Sequence, residues 1–523
     1  MSALRRIWRW PFAVLAALGA LCSAVWTVSA DYGERTFAFD ASGWWRTGLA
    51  VAVLAALMAF TPAMDMLARA GAARLARAAG AVTAVMAAVW VFAADAGPVW
   101  DPLDLWTAAT DPNAAQWAPD GYMERYPFQA SMIVALKACR ALAGSHALLL
   151  FQLGDAALAG VASWAVVSWT AAVSGDPRAP AFAAALQAAF LPPVFYATFV
   201  YGNQAGVMFT LLALLAQSRA MRSGHPRPHA AAAVLLMTLA LVAKRSMLPA
   251  AIAMILVWLW RAVGRRDPRP LIPAILAAVL AVTAPAALDA AILRRYGADP
   301  ERGLPKTTWV VMGLGANDRG AGGVYRSLGM FDGYTFRLPA GEYSPERQSA
   351  TDRRLIAARL RAMAADPAGT ARSLGRKLLW EWAEPTHGSI GASNWTRGTD
   401  PPQSARPKTR IARAIYDGRA GAMIRAAMDA MQTIIYLGAA LAYAMARIRA
   451  RDTAPMLAAA GAFMLYLVWE SKSQYTLPWV QLLVPVAAIG WAAAAARMRA
   501  WAADRTRALE AGGHRLLDAA GLP

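Results

Sequence analysis

The sequence predicts an all-α polytopic membrane protein with about twelve transmembrane helices, helices lying along its outer face and one large extracytoplasmic insertion. Three observations lead there. Of 523 residues, 58% are hydrophobic and 16% charged, against roughly a quarter charged in a soluble domain, and mean hydropathy is +0.35. The apolar residues fall in blocks of about 16–25, the length that crosses about 30 Å of hydrocarbon as helix, and a bilayer tolerates no unpaired backbone there. The third observation is the placement of arginine between the blocks.

In chain order the spans are about 11–30, 48–66, 78–97, 146–171, 179–198, 203–218, 229–243, 246–263, 270–289, 429–446, 454–469 and 476–496. The first follows Arg5, Arg6 and Arg9 like a signal peptide, but its length and the spans behind it read as a retained helix. With both termini cytoplasmic, the inner loops carry Arg69, Arg74 and Arg77; Arg178; Arg219, Arg222 and Arg227; Arg261, Arg265, Arg266 and Arg269; Arg447, Arg449 and Arg451. The tail 499–523, read as a short cytosolic helix, adds Arg499, Arg505 and Arg507. Every inner loop is basic, as the positive-inside rule requires, which points to a plasma (inner) membrane protein.

Residues 128–143 decide the parity. They are short, and Lys137 and Arg140 lie in their second half. Counting them as a span would put the arginines of 219–227 and 261–269 outside, so they are read as an amphipathic helix on the outer interface. The net charge of +20 then belongs to topology, and nucleic acid is not an expected partner. Cys22 and Cys139 are too far apart in sequence for a cysteine-based metal site or disulfide framework to be expected.

The domain organisation is 1–97, N-terminal helices; 98–145, an extracytoplasmic loop with its interfacial helix; 146–289, the transmembrane core; 290–428, the extracytoplasmic insertion; 429–498, C-terminal helices; and 499–523, the tail. The insertion has helical stretches near 349–366 and 370–383, and a strand-like apolar run ahead of a Gly-rich loop in 303–323 that lacks the Lys-Ser/Thr of a P-loop. The absence of an internal repeat counts against transporter folds built from two similar halves.

The most informative segment is the polar island 101–127, DPLDLWTAATDPNAAQWAPDGYMERYP, with five acids. Asp101 and Asp104, three residues apart, share a helix face. One can act as general base on an acceptor hydroxyl while the other positions the acceptor or a cation; alternatively Asp101 caps a helix with Pro102 in its first turn. Asp111 makes a turn with Pro112 and Asn113, and Asp120 and Glu124 are weaker candidates. Asp155, inside a span, serves either a polar cavity or a structural hydrogen bond. Lys244 and Arg245 lie outside against the general charge bias, to bind a lipid phosphate or to snorkel. Glu470, Lys472 and Tyr475 share an outer turn of both charge signs. Asn203 and Gln204 follow Tyr201-Gly202 in a tight turn. Residues 380–395 suit sugar stacking or packing at the membrane surface. The five histidines have no metal-ligand spacing. No cofactor is expected, although a divalent cation is compatible with the carboxylates.

Four segments in this order, DPLDLWTAA with GYMERYPFQ, FVYGNQAGVMF with LVAKRSMLPAAIA, PKTTWVVMGLG, and WESKSQYTLPWVQLLVP, together resemble the GT-C superfamily of polytopic membrane glycosyltransferases, in its bacterial branch similar to glycosyltransferase family 39 and protein O-mannosyltransferases. The resemblance spans about residues 95–490. It implies an inverting transferase that takes a sugar from a polyprenyl-phosphate donor to an envelope glycan, lipid or protein. Asp101 best matches the catalytic base, with Asp104 the near alternative; the site would lie on the extracytoplasmic face. Lys244, Arg245 and Lys472 would meet the donor phosphate. Glu470, Tyr475, Tyr122, Tyr126, Asn203, Gln204 and Asp155 complete the expected substrate site. The alternatives are a transporter or flippase of a lipid-linked glycan, using the same phosphate contacts without a base, and a non-catalytic envelope scaffold.

Overall fold

The computed structural model describes residues 8–31, 36–40, 48, 51–52, 55–56, 62–315, 318–319, 325–326, 328–336, 343–390, 407–416, 418–445 and 447–520. The chain is an all-α membrane protein with one small sheet. Helix α1 (Trp10–Val25) is followed by strands β1 (Thr27–Asp31) and β2 (Thr36–Asp40), then α2 (Pro62–Arg69), α3 (Ala72–Ala94) and α4 (Asp101–Thr110). Next come α5 (Ala130–Ala143), α6 (Ala147–Val173), α7 (Ala179–Ala189), α8 (Asn203–Ala220), α9 (Pro226–Ala243), α10 (Leu248–Arg265) and α11 (Leu271–Arg295). The outer segment holds α12 (Thr307–Gly313), β3 (Asp318–Arg319), β4 (Tyr325–Arg326), α13 (Pro345–Ala365) and α14 (Pro367–Ala383). Three helices close the chain: α15 (Arg419–Ala444), α16 (Ala454–Tyr466) and α17 (Leu477–Ala520).

Among the described residues six helical stretches are long and apolar enough to cross a membrane, or seven if the bent pair of α7 and Pro192–Thr198 is one span. Helices α1 and α16 are apolar but shorter, at 16 and 13 residues. Helix α8 falls on the expected span 203–218, yet it buries Asn203, Gln204, Gln217 and Ser218, so its surroundings are protein and its sequence need not be uniformly apolar. About half of the expected span 48–66 lies outside the described residues, and its last five residues fall in α2.

Three expectations need correction. The first apolar block does not run as helix to residue 30: it ends at Val25, and Thr27–Asp31 is a strand, in keeping with the β-branched and aromatic run Trp26-Thr27-Val28. The tail is not separate, because α17 runs unbroken from Leu477 to Ala520 through Pro485. The run expected as strand-like in the insertion is the helix α12, whose first-turn Thr307 and Thr308 hydroxyls both donate to Asp352 on α13. The insertion also joins the N-terminal strands β1 and β2 in one sheet. The sheet has the order β1-β2-β4-β3, all antiparallel, with Thr36 opposite Arg326. Beneath it Val28, Phe37, Leu328, Met330 and Trp380 make a small core, in which the Phe37 and Trp380 rings lie 4.3 Å apart. Trp380 is fully buried and its indole N–H donates to the Leu328 carbonyl, so it offers no stacking surface.

The main core is built round α17, whose most apolar 18-residue window is 94% buried, whereas that of α11 is 17% buried and faces outward. Without a hydrophobic drive between helices in lipid, close backbone approach matters. A Cβ on Gly490 of α17 would lie 1.8 Å from the Gly438 carbonyl oxygen of α15, and the Trp491 indole donates to the Ile434 carbonyl at 3.0 Å.

The bundle has two distinct ends. At one, Asp65 bridges Arg178 and Arg499, and Arg222 pairs with Asp452; these loops are all expected on the inner side. At the other end lies the start of α5. There the Ser131 hydroxyl donates to the Val242 carbonyl. On α6, nine residues past the end of α5, Gln152 donates to the Ala96 and Thr198 carbonyls. Gly490→Leu should lower stability by about 3 kcal/mol through overpacking, read as a fall in the thermal unfolding midpoint of the detergent-solubilised protein.

Candidate functional site

Helix α4 starts at Asp101, with Trp100 at the cap position and no side-chain cap bond. The amides of Leu103 and Asp104 bond the Trp100 carbonyl, so the Asp101 carboxylate is not used as a cap. Both acids lie in the first turn, where the helix dipole favours negative charge. The Asp101 side chain is exposed to water, yet protein crowds round it and raises its proton affinity above the usual aspartate range. Lys472 and Lys244 oppose the rise and Asp104 adds to it.

Two lysines and a glutamate from distant loops complete the charged cluster. Lys244 stands in the extended link between α9 and α10, with its ammonium 3.8 Å from the centre of the Tyr201 ring. Burial lowers its pKa to about 7, against the pull of Asp101. Lys472 and Glu470 follow α16. Burial lowers the lysine and raises the glutamate to about 7; Lys472 holds the glutamate down and Asp101 adds to its rise. Two acids and two cations thus feel one another's charge, with Lys244 and Glu470 balanced near neutral pH.

Tyrosines wall the cluster. Tyr122 and Tyr126 stack with ring centres 4.8 Å apart, and the Tyr126 hydroxyl donates to Thr335 at 2.9 Å. Tyr201 accepts a hydrogen bond from Gln129. Tyr475 bonds Glu470 and stacks on Tyr466 at 5.9 Å. Burial, with Asp101 close by, raises the hydroxyl pKa of Tyr122, Tyr126 and Tyr201, and burial with Glu470 and Tyr201 raises that of Tyr475. These groups are neutral donors. Lys244 reaches Tyr201 because Gly202 leaves room: a Cβ there would sit 1.9 Å from the Ala243 carbonyl oxygen.

The outer segment fixes the 470–476 turn from beneath through residues that sequence reasoning missed. The buried Lys377 ammonium on α14 donates to the carbonyls of Gly313, Trp469 and Leu467 at 2.8, 2.7 and 3.3 Å. Burial lowers it to about 8. The buried Glu384 carboxylate accepts from Thr386, Gly388 and Ser473, the last at 2.6 Å. The Thr476 hydroxyl lies 2.8 Å from the accepting Glu381 carbonyl and 3.0 Å from His387 Nδ1. Burial lowers His387 to about 3, so it is neutral. The only advance signal was a lysine and two glutamates, Lys377, Glu381 and Glu384, in an otherwise apolar and aromatic stretch.

Other expected site residues point elsewhere. Asp104 accepts from Gln116 at 3.0 Å; its pKa is raised by burial and held back by that bond. Arg245 turns away from Lys244 to an ion pair with Asp289 on α11. Gln204 donates to the Pro193 carbonyl at 2.5 Å, and Asn203 is buried with its side-chain oxygen unpaired. Asp155 is buried in α6 near the Cys139 thiol, with one oxygen unpaired. Asp120 and Glu124 are structural: both bond Arg302, tying the island to the insertion. Asp111 accepts from the Asn113 amide at 2.9 Å, a turn. Among the described residues no three metal-ligating side chains gather.

Compared with known proteins, the chain matches no family model, no curated protein and no solved structure. Lys377→Met removes the donor from three main-chain carbonyls. It should destabilise by about 3 kcal/mol, measured by thermal unfolding, whereas Lys377→Arg should recover part of that loss.

Proposed function

We propose that the protein is a GT-C-type membrane glycosyltransferase of about twelve spans that moves a sugar from a polyprenyl-phosphate donor to an extracytoplasmic glycan, lipid or protein. The reading puts both termini in the cytoplasm and the site on the outer face of the plasma membrane. The observation that carries it is the convergence, at one end of the bundle, of a water-exposed Asp101 with Lys244, Lys472 and Glu470 inside a tyrosine wall.

That set suits an inverting displacement. The Asp101 carboxylate takes the proton of an acceptor hydroxyl as its oxygen bonds to the anomeric carbon, and its raised pKa favours this role. The bond from that carbon to the phosphate oxygen breaks, and its electron pair leaves on the phosphate. The donor diester carries about one negative charge and the departing monoester nearly two. Fixed cations at the developing charge stabilise the transition state more than the ground state. Lys472 and Lys244 supply them. The Arg245–Asp289 pair supports the fold of this end and has no part in the step. The neutral tyrosines offer hydroxyl donors and ring faces for a sugar. Asp104, on the same turn as Asp101 and held by Gln116, acts only through its charge, which helps to keep the Asp101 pKa raised.

Purified protein with labelled polyprenyl-phosphate sugars and envelope acceptors should transfer label. Asp101→Asn should lower turnover by roughly 10²–10⁴-fold, and Asp104→Asn by less. Full transfer by folded Asp101→Asn overturns the assignment, and translocation of the donor without transfer favours a flippase. The Lys244 charge is present below about pH 7 and lost as pH rises through it. Donor affinity should therefore weaken above about pH 7, and Lys244→Arg, charged throughout, should flatten that dependence in a binding titration.

A further inference from the structure

A groove of about 340 Å³ lies between α5 and α11, lined by Ile133, Val134, Lys137, Ile292, Arg295 and Tyr296 among others. It is separate from the charged cluster. Tyr296 stacks on Trp117 at 4.3 Å, and the Trp117 indole donates to the Ala108 carbonyl on α4. Ala108 is seven residues along that helix from Asp101, about 10 Å at 1.5 Å per residue. A ligand headgroup at the groove rim is therefore divided from the Asp101 cluster by the Trp117–Tyr296 stack.

Its lining combines two chemistries. Ile133, Val134 and Ile292 make an apolar trough, and α11, which forms one wall, is the outward-facing helix of the bundle. At the rim stand Lys137, with its ammonium 4.8 Å from the Tyr296 ring centre, and the exposed Arg295. Arg140, one turn beyond Lys137, and Arg294 add charge. Among the described residues none of these four cations is in an ion pair. Asp289, the acid on this stretch of α11, is already held by Arg245 and the Ser131 amide. Unpaired cations over an apolar trough on a lipid-facing wall match a phosphate above an acyl chain, and the volume is that of a small-ligand site.

We infer that this groove holds a resident anionic phospholipid, its headgroup phosphate on Lys137 and Arg295 and one acyl chain along Ile133, Val134 and Ile292, distinct from any lipid bound at the Asp101 cluster. The bound lipid wedges α5 against α11, the pair that also frames the Lys244 turn through Ser131 and Asp289.

The test uses the full-length protein in nanodiscs of equal parts phosphatidylcholine and phosphatidylglycerol, with retained lipid identified by native mass spectrometry after release. Wild type should retain phosphatidylglycerol in preference to phosphatidylcholine. Lys137→Gln/Arg295→Gln should cut that retention roughly 25-fold, two factors of about five, in protein that stays folded and monodisperse. Val134→Trp, which fills the trough and keeps both charges, should also displace the lipid. Equal retention of the two lipids by wild type, or undiminished retention by the double variant, overturns the inference. So does loss of bound polyprenyl phosphate in place of phosphatidylglycerol, which would make the groove a donor-tail site.

Discussion

The Lys377 ammonium is buried against the carbonyls of Gly313, Leu467 and Trp469, and the charged end of the molecule depends on that contact. Each partner answers a need of the other. The last carbonyls of α16 have no partner within the helix, and an unpaired buried ammonium costs several kcal/mol. Together they anchor the chain one residue before Glu470. Glu384 then fixes Ser473, and Thr476 bonds the Glu381 carbonyl before α17 begins. Polar groups beneath the turn hold its position, which keeps Glu470 and Lys472 within reach of the Asp101 charge.

Two acids and two lysines brought together at an apolar bundle make a site whose proton count is finely divided. Burial alone would neutralise all four; mutual attraction keeps charge among them. With Lys244 and Glu470 both near 7, protons move within the set rather than on and off one residue, and its titration belongs to the group. An arriving anion draws such a cluster towards its charged-lysine form. On the proposed function, the same residues bind the donor phosphate and remain tolerable when it is absent.

Both ends of the bundle carry closed ion pairs, and one of them also carries an open cation. At the arginine-rich end, Asp65 and Asp452 are each clasped by guanidinium groups in close pairs. At the other end, Lys244 has an aromatic face beneath it. Closed pairs hold helices together, whereas an ammonium over a ring keeps its outer hemisphere for a ligand.

Much of this was legible from local chemistry. Apolar blocks and basic loops identify a helical membrane protein because the bilayer forces both features, and the stretches 349–366 and 370–383 carry enough helical signal to be found as α13 and α14. Lys244, Glu470 and Lys472 stood out because charge is costly at helix ends in a greasy chain. Tertiary structure decided what depended on partners far off in sequence. Strand β2 pairs with β4 nearly three hundred positions later, which no local pattern announces. Lys244 and Arg245 are neighbours with the same charge, and only the placement of Asp289 on α11 and Tyr201 beside Gly202 sends them to different tasks. Lys377 and Glu384 read as ordinary residues of an amphipathic stretch until the carbonyls and hydroxyls they serve arrive from α12 and the 467–476 turn. Residue type sets the energetic cost of burying a group, so class and candidates follow from sequence; the partner that offsets this cost is set by packing, and so the site follows from the fold.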